Sequence, residues 1–416
     1  MISLEKRGEW FYDQNCRPMD IHKNSFFPQV TACIDDLANN LGIEEKEVKI
    51  SLNMVLIDLY HRWFYNEFNG GIGYSRDNNC YRVKTRYNRL GIKKIPLLLA
   101  VDALTKYEYI DHVKGFKPAQ GRGVNSKIRA TPRLIELIKS YKIEPDMIES
   151  DPNKESIILK DPNGKKLEYK DNEFTDRIRE ELSMYVERLS KHNITCKGYR
   201  DFLKIDTINI RKIFQTDWKS YGRIYGGYWQ SSITSDQRKD IMIDDQDTIE
   251  LDYSNQMVRI LYSLIQRDYG DQDAYDLNIA TNSPPRRVIK KAIICAINCK
   301  DKPTAIKAIQ GEINKDSTLK DHPKINISKL LFDLEFKHQD IASLFYSGVG
   351  ARCQRIDGEI ASRIINHFTS IGKPVLSIHD SFICKEEDQQ LLFELMHSTF
   401  QSVLSINIKD PNSLIK

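Results

Sequence analysis

Two short stretches of this sequence place a carboxylate where chemistry can reach it. Residues 248–259 read Thr-Ile-Glu-Leu-Asp-Tyr-Ser-Asn-Gln-Met-Val-Arg. Ile249 and Leu251 alternate with polar neighbours, which predicts a strand, and from Asn255 the residues Met257, Ile260, Leu261 and Leu264 follow helical spacing. Asp252 therefore stands at a strand-to-helix junction, exposed at a sheet edge to metal and phosphate. The alternative is a plain helix N-cap, a common place for Asp. Residues 374–385 read Pro-Val-Leu-Ser-Ile-His-Asp-Ser-Phe-Ile-Cys-Lys, two apolar strands that meet at His379-Asp380. The expected object is a hairpin with Asp380 at its tip, although an Asp in a turn is ordinary. If the two strands are neighbours, Asp252 and Asp380 converge. Two such carboxylates suit a pair of Mg²⁺ ions roughly 4 Å apart, the clamp used for in-line phosphoryl transfer. Mg²⁺ keeps several waters, so two Asp and a backbone carbonyl suffice.

A third element lies between them. Arg286-Arg287-Val288-Ile289-Lys290-Lys291 follows Pro284-Pro285 and opens a helix, with apolar support expected from Ile293, Ile294 and Ile297. Arg286 and Lys290 are four residues apart and share a face. Together they suit a triphosphate, Arg by bidentate grip and Lys as a point charge or proton donor to the leaving group. The alternative is a solvated helix start, yet cations there oppose the helix dipole, which favours a bound anion over decoration.

The elements around these residues divide the chain. Residues 1–150 are read as a mainly helical module, 151–216 as a thumb-like connector and 217–416 as the catalytic part. Helices are predicted over residues 44–64, with Val48, Leu52, Val55, Leu56, Leu59 and Trp63 on one face, and over 95–107. An extended piece follows at 109–114, then a Gly-rich turn at 115–123. Helix, strand, basic loop, strand is the order of a winged helix. Between Arg82 and Arg133 there are thirteen Lys and Arg against three acids, in a chain whose net charge is +4. Such local concentration favours phosphate binding, because each neutralised phosphate releases counterions. Arg82, Lys84, Arg86, Arg89, Lys93, Lys94, Arg122, Lys127 and Arg129 are the expected contacts with DNA or RNA. In the connector, Asp161-Pro162-Asn163-Gly164 predicts a hairpin between 157–160 and 166–169, and Thr175 an N-cap for the next helix. Gly70-Gly71-Ile72-Gly73 is read as a loop, and His61 and His338 as packing or surface residues.

Composition sets the bounds. At 416 residues, 40% hydrophobic and 10% aromatic, the chain can bury two cores, since about 150 residues make a domain. Global disorder is excluded. No apolar run approaches the roughly 18 residues of a membrane span, and no secretory signal is visible, so a cytoplasmic protein with reduced thiols is expected. The eight cysteines form no C-x-x-C pair.

Taken in order, the three elements resemble motifs A, B and C of the family A nucleic-acid polymerases. Asp252, Tyr253, Ser254 and Arg259 match motif A, Arg286 and Lys290 the start of motif B, and His379 and Asp380 motif C. His379-Asp380-Ser381-Phe382 is similar to the form in single-subunit phage and mitochondrial RNA polymerases, as is Asp217-Trp218 with Gly222-Arg223-Ile224-Tyr225 upstream of motif A. Gln354-x-x-Asp357-Gly358 sits where the superfamily places a Gln or His at the primer end. The resemblance covers residues 217–388 and implies an α+β fold, with a polymerase-like palm of antiparallel sheet and helices and reduced fingers. It implies that Asp252, Asp380 and the Tyr253 carbonyl hold Mg²⁺, with Mn²⁺ as a substitute. It also implies that Arg286 and Lys290 bind the triphosphate and that Lys290 protonates pyrophosphate. Arg223, Met257, Gln354 and His379 join the nucleotide and primer site. Three departures stand out. Met257 replaces the Glu that blocks a ribose 2′-hydroxyl in bacterial DNA polymerases, while Ile294 and Asn298 stand where base-stacking aromatics are expected. The expected activity is nucleotidyl transfer from nucleoside triphosphates, ribonucleotides favoured. A phage or plasmid DNA polymerase and a catalytically dead nucleic-acid-binding protein are the rivals.

Overall fold

The computed structural model describes residues 16–65, 71–81, 85–116, 124–151, 154–197, 209–231, 233–277, 284–316, 325–408 and 410–416. Two compact units divide the chain. The first is Met1–Glu155 with Thr195–Thr207, and the second is Ser156–Ile194 with Ile208–Lys416. Both mix helices with sheets in which antiparallel pairing predominates, an α+β composition. The 151–216 connector is shared between the units, its turn and helix belonging to the second. Among the described residues, no helix is long and apolar enough to cross a membrane.

The first unit runs β1 (Cys16–Pro18), β2 (Lys23–Asn24), α1 (Pro28–Leu41), α2 (Lys46–Tyr65), β3 (Gly71–Tyr74), α3 (Lys94–Lys106), β4 (Ile110–Val113), β5 (Ser126–Ala130), α4 (Pro132–Ser140) and β6 (Glu149–Ser150). Its main sheet has the order β1-β3-β5-β4. The heptad-like stripe of α2 is buried as its spacing predicts, with Leu52, Val55 and Leu56 fully inside. The Gly71–Gly73 stretch is a strand and not the loop expected. Ile72 and Tyr74 are buried on alternate positions, and the glycines carry only ladder bonds to β1 and β5. A period of two was present in Ile72 and Tyr74, but the glycines masked it.

A buried polar knot links β3, β4 and α3. The Tyr74 hydroxyl meets His112 Nε2 at 2.9 Å, Arg76 donates to that hydroxyl at 3.2 Å, and Thr105 Oγ1 lies 3.4 Å from His112 Nδ1. Burial, and then the Arg76 cation, hold the imidazole down to about 4, against an opposing pull from Asp102 and a further push from Lys114. Between pH 6.5 and 4 the unfolded chain therefore takes a proton on this histidine that the folded unit refuses. Stability falls with pH across that window and the decline stops below it. His112→Gln is expected to flatten the urea-midpoint profile between pH 7 and 4 relative to wild type; superimposed profiles would refute this.

The second unit runs β7 (Ile157–Lys160), α5 (Glu173–Ser190), β8 (Ile194–Cys196, of which Ile194 alone falls in this unit), β9 (Arg211–Gln215), β10 (Asp217–Tyr225), β11 (Ile241–Ile243), β12 (Gln246–Asp252), α6 (Gln256–Leu264), α7 (Arg286–Asn298), α8 (Lys302–Lys315), α9 (Ile327–Lys337), α10 (Gly350–Ser370), β13 (Leu376–Ile378), β14 (Ser381–Lys385) and α11 (Gln389–Leu404). One sheet has the order β13-β14-β12-β11-β8 and another β10-β9-β7. The Asp161–Gly164 turn forms as expected, with the Asp161 carboxylate accepting from the N–H groups of Asn163 and Lys165. Its return arm is only a bridge at Lys166 and no full strand, because residues 167–170 find no continuous ladder. Helix α5 is capped by Asn172, with Thr175 one turn inside as the reciprocal member of the capping box. The expected Thr175 cap is thus displaced by three residues, since Asn172 already occupies the stronger capping position.

Helix α10 lies directly on β10, backbone to backbone. A Cβ built on Gly358 would sit 2.2 Å from the Gly222 carbonyl oxygen and 3.0 Å from the Arg223 nitrogen. Gly222 itself holds φ 87°, next to a bulge at Tyr221. Gly358→Ala must push the helix off the strand, an overpacking cost of about 1–3 kcal/mol. Thermal denaturation is expected to show that loss; an unchanged midpoint would mean that the contact gives way freely.

Candidate active site

Strand β12 ends at Asp252, as its alternation predicts, and pairs antiparallel with β14 so that Asp252 lies opposite Ser381. Ile378 pairs with Ser381, which leaves His379 and Asp380 as a two-residue turn. The expected hairpin therefore carries Asp380 at its tip, beside the end of β12, and the Tyr253 N–H donates to the Asp380 carbonyl at 3.1 Å. Asp252 does not cap α6. The cap position is Asn255, in the left-handed region at φ 56°. The N-cap alternative is thereby removed, and the Asp252 side chain is left exposed at the end of the strand. Residues 411–416 run along the other side, with the Asp252 and Lys416 backbones exchanging two hydrogen bonds of 2.9 Å.

The electrostatics record how closely the charged groups gather. Asp252 keeps a solvent-facing edge. Loss of hydration in the recess, and then the charge of Asp380, nonetheless push its carboxyl up to about 7, while Lys290 pulls it back. A carboxylate raised by lost hydration and then by a neighbouring carboxylate is one that a cation stabilises. Tyr253 turns its ring into the core, its hydroxyl donating to the Met396 carbonyl at 2.6 Å and its ring lying 5.5 Å from Phe400. Only its backbone can face the recess. Two carboxylates and one carbonyl fit the oxygen-rich, water-keeping coordination of Mg²⁺. No cluster of three or more His, Cys, Asp or Glu suited to a metal occurs among the described residues.

Helix α7 begins at Arg286 after Pro285, as expected. Its exposed stripe is Arg286, Lys290, Ile294 and Asn298, spaced four residues apart. Ile294 therefore belongs to the exposed stripe, at 41% exposure, and gives no core support; Val288, Ile289, Ala292, Ile293, Ala296 and Ile297 supply it. Arg286 pairs with Asp273 and stacks over the Tyr275 ring at 4.8 Å. The turn that carries both is fixed by buried His338, whose Nε2 lies 2.9 Å from the Ala274 carbonyl. The charges of Asp380 and Asp252 reach Tyr275, whose phenol burial pushes up to about 12. Asp273 and Tyr275 were not singled out in the sequence. Their only signal was an Asp-x-Tyr spacing, which carries no meaning until His338 and Arg286 are placed beside it.

A second group of residues lines the hairpin tip. Arg223 forms an ion pair with Asp357 of α10, which is buried at 1% exposure. Arg223 is thus tied to a protein carboxylate as well as facing the site. Tyr225, two residues along the same face of β10, sets its ring edge-on to His379 at 5.1 Å. Burial, and then the Arg223 cation, hold the His379 imidazole below its ordinary range. Asp357 Oδ1 and Gln256 Nε2 are both buried; burial raises the Asp357 carboxyl, and Arg223 and then the neighbouring Gln256 amide draw it back. Gln354 lies half-buried on α10 one turn before Asp357, and Met257 half-buried in the first turn of α6.

The basic residues of the first unit are largely matched by acids. Arg86 pairs with Glu155 at 3.0 Å, Arg89 with Asp151 at 3.3 Å, Arg129 with Asp111 at 2.6 Å, and Lys93 with Glu47. Lys127 lies in β5 and Lys94 opens α3. Arg82, Lys84 and Arg122 lie outside the described residues. His61 and His338 are both buried, in keeping with packing. No protein-family model matches the chain, and no curated protein matches it in sequence.

Proposed function

We propose that the second unit is the palm of an Mg²⁺-dependent nucleotidyltransferase that extends a nucleic-acid 3′-hydroxyl with nucleoside triphosphates, ribonucleotides preferred. The observation that carries this reading is the β12–β14 pairing, which sets Asp252 and Asp380 side by side under the influence of Lys290. Helices α7 to α9 serve as reduced fingers. When bound, the metal pair lowers the charge on the α-phosphate and on the attacking and leaving oxygens. Asp252, Asp380 and the Tyr253 carbonyl would hold that pair. Arg286, oriented by Asp273 and Tyr275, grips the non-transferred phosphates. Lys290 neutralises the departing pyrophosphate and hands it a proton. The O–P bond to the 3′-oxygen forms as the bond to pyrophosphate breaks, and the 3′-hydroxyl proton passes to solvent. In this reading Arg223, Gln354 and His379 contact the primer end. Met257, with no carboxylate at that position, supports acceptance of the ribose 2′-hydroxyl.

The first unit is proposed to bind the DNA or RNA template, in a winged-helix-like arrangement of α3, β4 and β5. The ion pairs of Arg86, Arg89, Lys93 and Arg129 leave less of the expected positive charge available there. Salt-sensitive binding by the chain is expected to respond more to Lys94 than to these paired residues. Incorporation of labelled nucleotides tests the activity, with NTPs or dNTPs, with and without template and primer, in Mg²⁺ or Mn²⁺. Product from NTPs supports the reading. Strong preference for dNTPs moves it to a DNA polymerase, and no product in any combination overturns it.

A further inference from the structure

We infer that Arg238, Glu250 and Ser381 form a brace that positions Asp380, so that metal affinity depends on three residues outside the metal's own ligands. The inference rests on the reading that Asp252 and Asp380 hold divalent ions. Glu250 lies two residues before Asp252 on the same face of β12, and Ser381 lies opposite Asp252 in β14. The two are diagonal neighbours across the ladder, within reach of each other's side chains. The Ser381 hydroxyl donates to Glu250 Oε1 at 2.6 Å. Glu250 is gripped from the far side by Arg238, Nε to Oε2 at 2.9 Å and Nη2 to Oε1 at 3.0 Å. Arg238 ends a short helical turn, Ser235–Arg238, closed by a reciprocal cap between Thr234 and Gln237.

Three observations separate this from ordinary sheet adhesion. The Arg238 guanidinium fork occupies both Glu250 oxygens, and the Ser381 hydroxyl takes a further site on Oε1, so Glu250 acts as a strut and not as a third ligand. The β12–β14 ladder already sets the register, and the brace adds its bonds only at the residue next to Asp380. The turn it supports also needs support. His379 holds φ 54°, a conformation that a two-residue hairpin gives readily to Gly and that costs other residues strain, so it persists only where the surroundings over-determine it. Tyr225 holds the His379 side of the turn and the brace holds the Ser381 side.

The test is Mn²⁺ titration of the full chain by electron paramagnetic resonance, alongside incorporation as a function of Mg²⁺. Ser381→Ala is expected to weaken Mn²⁺ binding and raise half-saturating Mg²⁺ by about tenfold, the loss of one hydrogen bond to a charged group. Ser381→Thr, which keeps the hydroxyl, is expected to restore both. Arg238→Gln gives the sharper result. Removal of a nearby cation by itself would tighten metal binding, whereas loss of the brace weakens it, and weakening is expected. Unchanged or tighter Mn²⁺ binding in Arg238→Gln and unchanged binding in Ser381→Ala, with Asp252→Ala abolishing it, would overturn the brace. A wild type that binds Mn²⁺ but incorporates nothing would sink the polymerase reading alone, since the brace is then judged by the titration. A wild type that binds no Mn²⁺ would overturn both.

Discussion

Asp252→Ala or Asp380→Ala is expected to lower nucleotide incorporation by about a thousandfold or more, which corresponds to roughly 4 kcal/mol of lost transition-state stabilisation. Each removes one of the two carboxylates at the shared strand edge. The two are expected to be far from additive, because either loss dissolves the same metal pair and the double variant then has little left to lose. Nucleic-acid binding is expected to survive both. The effect on folding has the opposite sign. Asp252 is held high by desolvation and by Asp380, so in metal-free buffer Asp252→Asn relieves a repulsion and is expected to raise the thermal midpoint. An inactive variant that is more stable than wild type separates a lost catalyst from a lost fold. Incorporation within tenfold of wild type by either Ala variant would end the two-metal reading.

The largest stability effect is expected at Arg259, a fully buried guanidinium at 2% exposure. Its Nε donates to the Ser254 carbonyl at 2.8 Å, and its Nη2 to the carbonyls of Gly270 at 2.7 Å and Ser413 at 2.5 Å, with Asp268 3.7 Å from Nη1. One side chain thus ties the residue after Tyr253 to the Gly270 loop and the helical turn Pro411–Leu414, and lies beside the half-buried Asp268 carboxylate. Arg259→Ala strands those carbonyls and removes the cation beside Asp268, at a cost of about 3–5 kcal/mol. Arg259→Lys is expected to recover less than half, because an ammonium cannot reproduce the planar fork. Urea unfolding followed by near-ultraviolet circular dichroism checks this in the second unit; a loss under 1 kcal/mol for the Ala variant would contradict it. The three carbonyls also frame the residues that follow Asp252, so activity is expected to fall before the fold does as urea is raised.

Much of the local architecture was legible in the sequence because short-range rules govern it. Alternation ended β12 at Asp252, helical spacing started α6 and α7 where they begin, and a pair of apolar runs around His379-Asp380 made a hairpin. These depend on side-chain period and on proline and turn chemistry, which neighbouring residues settle among themselves. Where neighbours compete, legibility failed by a few residues. Thr175 was a fair cap until Asn172, three residues earlier, took the position. Ile294 was a fair core residue until the rotation of α7 aligned it with Arg286 and Lys290.

By itself the sequence determined which residues could carry charge to a common place, and the order in which the chain presents them. Only the tertiary structure decided that Asp252 and Asp380, 128 positions apart, share an edge. That outcome depends on which strands pair, a matter of burying both faces of β14 against elements distant in the chain. The pairings between side chains were invisible for the same reason. Asp357 on Arg223, Asp273 and Tyr275 at Arg286, and the strut from Arg238 to Ser381 each join elements whose separation in sequence carries no period. A lone Glu, Asp or Ser announces nothing until a folded core brings a guanidinium within 3 Å of it, as Arg238 is of Glu250.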